Sequence, residues 1–421
     1  MSKFSFSSSV IAILFFYPTT LLASLPHWNL NDVSILFGLP HGGPHAPVKL
    51  LAPRDQGGLG ELLPSDAYAL LPTLYQPGLG NVSLYEKSLR VTAVRFDPCP
   101  PSDDDGCSAE LRLVWQPVEY AATRRAWVTR DAAVHCIHTI RPEARAQLKN
   151  DLWRLKMELK RRGVDTSLQP LGVHPAIRNG ETADAFTNEM RSLVLRYAGD
   201  DNLTRITFAA LRVPTRWWRF GAAEKNPQGD WQRVDIPRLD APSVDIFNVA
   251  AVDGVGLGPD RGLDAIFNVL PDEYPEEDNI FTLINKGYRF NDERDLSVFR
   301  QKLDAVARFR NPHRTNADNL DCASCHYADA ALFYAENRFP VLSESSPVDA
   351  FENPAPELFN LHNGTIVAGS ARVVRAFGYH DAQPAVSQRT INESALVAHR
   401  MNHQEPGQGL RIAQGLEIQH P

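Results

Sequence analysis

Cysteine spacing constrains this chain more than any other feature. Five cysteines fall as two close pairs, Cys99 with Cys107 and Cys322 with Cys325, and one single residue, Cys136. Close pairs mark a disulfide framework, a metal or cofactor site, or a redox centre, and each demands a different fold around it. The N-terminus narrows the choice. "MSKFSFSSSVIAILFFYPTTLLASLPHW" carries Lys3, an unbroken apolar run from Val10 to Phe16, and small residues around Ala23 and Ser24. That is the layout of a secretory signal peptide over residues 1–24. The run falls short of the roughly 20 apolar residues of a spanning helix, and Pro18 interrupts it. The expectation is therefore a periplasmic or secreted protein with no integral membrane segment in the mature chain.

The remainder has the composition of a folded protein. With 421 residues, 43% hydrophobic and 22% charged, it can bury a substantial core in about two or three domains. A formal net charge of -7 leaves no basic excess to neutralise phosphates, which argues against nucleic acid as a partner.

Periodicity predicts an α+β fold. "LRVTAVRF" and "AELRLVWQ" read as strands on either side of the turn-forming "PPSDDDG", with Leu111, Leu113 and Trp115 alternating to one face. Cys99 and Cys107 flank that turn, so a hairpin closed by a disulfide is expected there. Parity then leaves Cys136 as a free thiol. "RPEARAQLKNDLWRLKMELKRRG" predicts a helix, with Pro142 at its start, Leu148, Leu152, Leu155 and Leu159 at helical spacing, and Gly163 as its stop. "LTRITFAALRV", "RWWRF" and "DWQRVDI" return to strand character, and turn signals between Asp240 and Tyr274 predict a long connection. A second helix is expected in "DERDLSVFRQKLDAVARFR", with Leu296, Phe299, Leu303 and Val306 as its stripe, and Pro312 prevents its continuation. The organisation predicted is a mixed α/β domain over 25–311 and a mainly helical or irregular segment over 312–421.

That last segment opens with "TNADNLDCASCHYADAALFYAENRF". Its C-x-x-C-H run is the attachment signature of c-type haem: two thiols add across two vinyl groups of one porphyrin, and the adjacent histidine reaches the iron. In this pentapeptide the chain resembles the c-type cytochromes. The resemblance implies one haem c, thioethers from Cys322 and Cys325, His326 as proximal iron ligand, and electron transfer to a redox partner protein. Three other readings of the same residues stand beside it. An exported C-x-x-C can close a structural disulfide. A zinc site would need four ligands, and no second C-x-x-C exists to supply them. A thioredoxin-like pair would want a β-α-β setting, whereas a polar loop precedes Cys322.

The second iron ligand decides between electron carrier and enzyme. Met401 is the only methionine after His326, and His362, His380, His399, His403 and His420 also follow it. "INESALVAHRMNH" is expected to enter a helix after Asn392, on which His399 and His403 share a face and Met401 points away. Met401, His399, His403 and His380 are the candidates. A haem enzyme of peroxidase type is a rival, although the diheme peroxidases require a second C-x-x-C-H. A binding or structural exported protein with disulfides and no cofactor is another.

Weaker constellations complete the survey. His135 and His138 flank Cys136 in "VHCIH", a copper or zinc donor set set against a half-buried segment with an unreactive thiol. "HGGPH" places His41 and His45 on a loop that reads as solvated. "DGVGLGPDRG" lacks the helix and lysine of a phosphate loop, and "PDEYPEED" lacks EF-hand spacing. No G-x-S-x-G or H-E-x-x-H occurs.

Overall fold

Side chains alternate along the strands of this protein so regularly that each strand is a border between two environments. The structure, a computed structural model, describes residues 27–72, 75–76, 80–81, 87–98, 108–212, 217–247, 279–280, 283, 293–338, 347–362 and 376–403. The expected signal peptide, Cys99, Cys107, His420, the glycine run at 254–258 and the acidic run "PDEYPEED" lie outside the described residues.

Nine strands form one antiparallel sheet: β1 (Ser34–Leu36), β2 (Leu89–Asp97), β3 (Ala109–Ala121), β4 (Ala126–Thr129), β5 (Ala132–Ile140), β6 (Leu203–Arg212), β7 (Trp217–Lys225), β8 (Trp231–Val234) and β9 (Ser243–Phe247). The main path runs β1-β2-β3-β5-β6-β7-β8, with β4 paired to β3 and β9 to β7. The strands expected around "PPSDDDG" do pair as a hairpin, in register from Leu89 opposite Pro117 to Asp97 opposite Glu110.

One face of the sheet is mainly apolar. Leu111, Leu113 and Trp115 on β3, Val134 and Cys136 on β5, and Ile206 and Phe208 on β6 are all buried there. Helices α1 (Pro142–Arg161) and α2 (Gly180–Tyr197) share this core through Leu148, Leu152 and Leu159 and through Phe186, Met190 and Val194. Proline at the first position of α1 suits a helix start, because its missing N–H would have no partner there.

The other face carries charge. A second apolar cluster on that side joins Leu211, Trp218 and Phe220 of the sheet to α3 (Glu293–Arg310) and α4 (Cys322–Arg338). Phe299, Leu303 and Val306 are buried and Leu296 packs at the margin, the stripe read from the sequence. This cluster runs from Ala209 to Ala335 and so crosses the expected boundary at 311/312.

The C-terminal segment is mainly helical among its described residues, with helices α4 and α5 (Gln388–His403), and it adds one short strand pair. Strands β10 (Phe377–His380) and β11 (Gln383–Val386) form a hairpin. It is tied to the sheet by Gln116, which donates to the Tyr379 carbonyl at 2.8 Å and accepts from its N–H at 2.7 Å. Helix α5 spans Gln388–His403 and begins before Asn392, because the Ser387 hydroxyl accepts from Thr390 N–H at 3.2 Å and caps it. Among the described residues no helix is long and apolar enough to cross a membrane.

Candidate functional site

The polar loop before Cys322 is built to start a helix. Asn316 accepts from the N–H groups of Asp318 at 2.8 Å and Asn319 at 3.1 Å. Fully buried Asp321 then accepts from Ser324 N–H at 2.7 Å and occupies the capping position of α4. Cys322, Cys325 and His326 follow at helix positions i, i+3 and i+4, so all three project from one side of one turn. Burial marks that side: the three motif residues are half-buried, while Ala323, Ser324, Tyr327 and Ala328 between and after them are buried.

They face a cavity of about 440 Å³, within the roughly 300–1,000 Å³ range of small-molecule and cofactor sites. Its floor is the charged face of the sheet, where side chains line up across strands. One row runs Arg95, Arg112, Ile137, Arg205, Glu224 over β2, β3, β5, β6 and β7. A second runs Val114, His135, Thr207, Ala222, Val234 from β3 to β8. Cross-strand neighbours on one face lie within contact distance, so the rows are two parallel ridges under the motif. The roof comprises the motif turn of α4, Phe377 of β10, and Arg389, Thr390 and Glu393 of α5.

Three of the four cavity arginines are held by carboxylates. Arg95 and Arg389 both pair with Glu393, the second at 2.7 Å. Arg389 also donates to Thr315 Oγ1 at 2.6 Å and to the Thr315 carbonyl at 2.7 Å, which fixes α5 to the loop ahead of the motif. Arg205 pairs with Glu224 and, at 3.2 Å, with Asp318. Arg112 is less well matched, with Glu110 at 3.8 Å and a buried Nε that has no hydrogen-bond partner among the described residues.

Protonation follows burial and charge. Burial alone would raise the Glu393 carboxyl, yet Arg95 and Arg389 hold it well below the usual carboxylate range. Burial raises Glu110 and lowers Arg112. Burial, then Arg112 and His326, keeps the His135 imidazole neutral. Burial also pushes the Cys322 thiol up to about 12 and the Cys325 thiol up to about 11. A thioredoxin-like pair follows a strand in a β-α-β unit, whereas here the polar loop around Asn316 precedes α4. The two thiols are free, as is buried Cys136.

The other predicted residues lie elsewhere. Met401 is buried in the large core cluster, with only 2% of its surface exposed. His399 and His403 pack against each other with ring centres 4.1 Å apart and planes tilted by 40°, His403 exposed, and His380 sits on the β10–β11 hairpin. Neither Met401 nor any of these three histidines lines the cavity. "VHCIH" divides between the two faces of the sheet: His135 enters the cavity, whereas Cys136 and His138 point into the apolar core. Alternation along a strand therefore prevents that trio from converging on one ion. His138 serves Gly199 instead, with Nδ1 3.2 Å from its carbonyl oxygen. His41 borders a separate cleft of about 670 Å³, and His45 is exposed outside it. Among the described residues no three His, Cys, Asp or Glu side chains converge as a set for a bare metal ion.

The sequence did not single out the arginine rows or His135 as partners of the motif. The available signal was the alternation in "VHCIH" and "AELRLVWQ", which sends Arg112, Val114, His135 and Ile137 to one side, but not the packing of α4 over that side. Compared with protein families, with curated proteins and with solved structures, the chain has no significant match.

Proposed function

We propose that this is an exported c-type cytochrome-like protein that binds one covalent haem at Cys322, Cys325 and His326 and transfers electrons to a redox partner protein. One observation carries the reading: two free thiols and a histidine share one helical turn on the wall of a cofactor-sized cavity. The donor chemistry fits the group. Cys322 and Cys325 would each form one thioether, and His326, one residue on, would ligate the iron. Arg112, half-buried and held only by the 3.8 Å pair with Glu110, lines the same cavity, a position suited to an anionic substituent such as a propionate. His135 Nε2 is a second buried polar atom there without a hydrogen-bond partner among the described residues. When bound, haem supplies a one-electron iron centre. The protein's own part is to hold it: α4 presents the attachment residues, the sheet forms a rigid floor, and the Arg95, Arg389 and Glu393 cluster closes one side.

The test is expression with cytochrome maturation machinery, followed by absorbance and a haem stain on a denaturing gel. Wild-type protein is expected to be red and to keep one haem per chain through denaturation. Cys322→Ser or Cys325→Ser removes one thioether and weakens or abolishes retention, while circular dichroism stays close to wild type. A colourless wild-type product from such a host overturns the reading.

A further inference from the structure

We infer that His135, projecting from the central strand β5 toward His326, is the second protein residue that would hold the iron. The inference rests on the haem reading above and adds to it the residue that completes the coordination.

Distance is the first argument. The ring centres of His135 and His326 are 6.3 Å apart, with their planes at 75°. A ligating imidazole nitrogen lies about 2 Å from its metal and about 1 Å from its own ring centre, so two imidazoles facing each other across one ion have centres about 6 Å apart. Ring packing alone also tolerates such a spacing, but it leaves a nitrogen unexplained. His135 Nε2 is buried without a hydrogen-bond partner among the described residues, a cost that native proteins seldom leave unanswered. A metal bond answers it, and neutral imidazole nitrogen is the ordinary protein donor to iron.

Placement is the second argument. Val114 and Thr207 stand directly across from His135 on the neighbouring strands, so small side chains flank the ring in its row. A central antiparallel strand gives the ligand a fixed base, as a preorganised site requires. The alternatives are elsewhere: Met401 is buried in the large core cluster and does not line the cavity, and His399 packs against His403. His326 on α4 and His135 on the sheet would then both hold the iron, while covalent attachment stays with Cys322 and Cys325 of α4. This favours an electron carrier over an enzyme.

The experiment uses the matured holoprotein. Wild type is expected to show a low-spin, six-coordinate spectrum in both oxidation states and to bind carbon monoxide slowly or not at all when reduced. In His135→Ala the covalent haem remains at one per chain, the low-spin spectrum is lost, and the reduced protein binds carbon monoxide at least tenfold faster. His135→Met restores a low-spin spectrum with the near-infrared band of methionine-ligated ferric haem, which shows that the site is intact. Met401→Ala and His399→Ala leave the spectrum unchanged. If His135→Ala keeps haem but stays low-spin and inert to carbon monoxide, the assignment of His135 is overturned while covalent attachment stands. If wild type carries no covalent haem, the functional reading falls and this inference falls with it.

Discussion

The two faces of the nine-stranded sheet are made of the same strands and obey opposite rules. Toward α1 and α2, Leu111, Leu113, Trp115, Val134, Cys136, Ile206 and Phe208 are buried among other apolar side chains. Toward α4 and α5, the next residue along each strand is Arg112, Val114, His135, Ile137, Arg205 or Thr207, and the space above them is a cavity. The comparison separates two uses of burial. On the first face burial is its own reward, since apolar area leaves water. On the second, charged groups are kept close to water or paired at some cost, which a fold retains where a site needs them. Both faces inherit one pattern of alternation, so a shift of one residue in register would exchange them.

The sharpest way to break this comparison is to cut into the apolar face. Trp115 is fully buried there, opposite Val91 on β2 and Val134 on β5. Trp115→Ala is expected to destabilise the protein by about 3–5 kcal/mol, the usual cost of deleting a large buried aromatic side chain. Chemical denaturation with an unchanged m-value would measure it. A loss below about 1 kcal/mol would mean that this face is not the main core.

How much of this was legible beforehand depended on distance along the chain. Alternation of Leu111, Leu113 and Trp115, and the helices at 142–161 and 293–310 with their stripes, are local patterns, and the structure reproduces them. The grouping of Cys322, Cys325 and His326 is local as well, because i, i+3 and i+4 share a helix face wherever the helix lies. Pairing of His135 with that turn is not local, since it depends on α4 lying across β5 and β7. The β10–β11 hairpin was hidden for a related reason: its turn puts Asp381 at φ 59° with no glycine to signal it, and its register is held by Gln116 and Thr129 of the sheet. The candidates Met401, His399 and His403 came from their position after the motif, whereas the side chains that face the motif come largely from before it.

A second prediction concerns pH and the apolar side of the molecule. His174 is buried with its ring stacked on Phe186 at 4.1 Å, and its Nδ1 accepts from Ala176 N–H at 3.1 Å. Burial, then Arg178 and Lys156, lowers its pKa to about 3. The unfolded chain, with a histidine near 6.5, takes up the proton first, so stability is fully present above about pH 6.5 and falls as pH drops toward about 3. Between pH 7 and pH 5 this one residue costs about 2 kcal/mol. His138, lowered to about 4 mainly by its own burial, adds a loss of the same sign. His174→Asn keeps an acceptor near Ala176 and should remove only the first share, which urea midpoints at pH 7 and pH 5 would resolve. An acid slope identical to wild type would show that folding does not displace the His174 pKa.

The smallest expected effect tests the other face at the residue beside Phe208. Thr207 stands between His135 and Ala222 in the cavity row, half-buried, while Phe208 enters the opposite core. In a packed interior, replacing threonine by valine trades a hydroxyl for a methyl and disturbs whatever the hydroxyl bonds. Toward an open cavity the same change should leave stability within about 0.5 kcal/mol of wild type, as at ordinary surface positions. Denaturant unfolding of Thr207→Val without bound cofactor measures the difference. A loss above about 1 kcal/mol would mean that the Thr207 hydroxyl is engaged and the floor of the cavity is packed as tightly as the core. The floor of the cavity would then be a continuation of the second apolar cluster on that face, and the contrast from which the site was read would disappear.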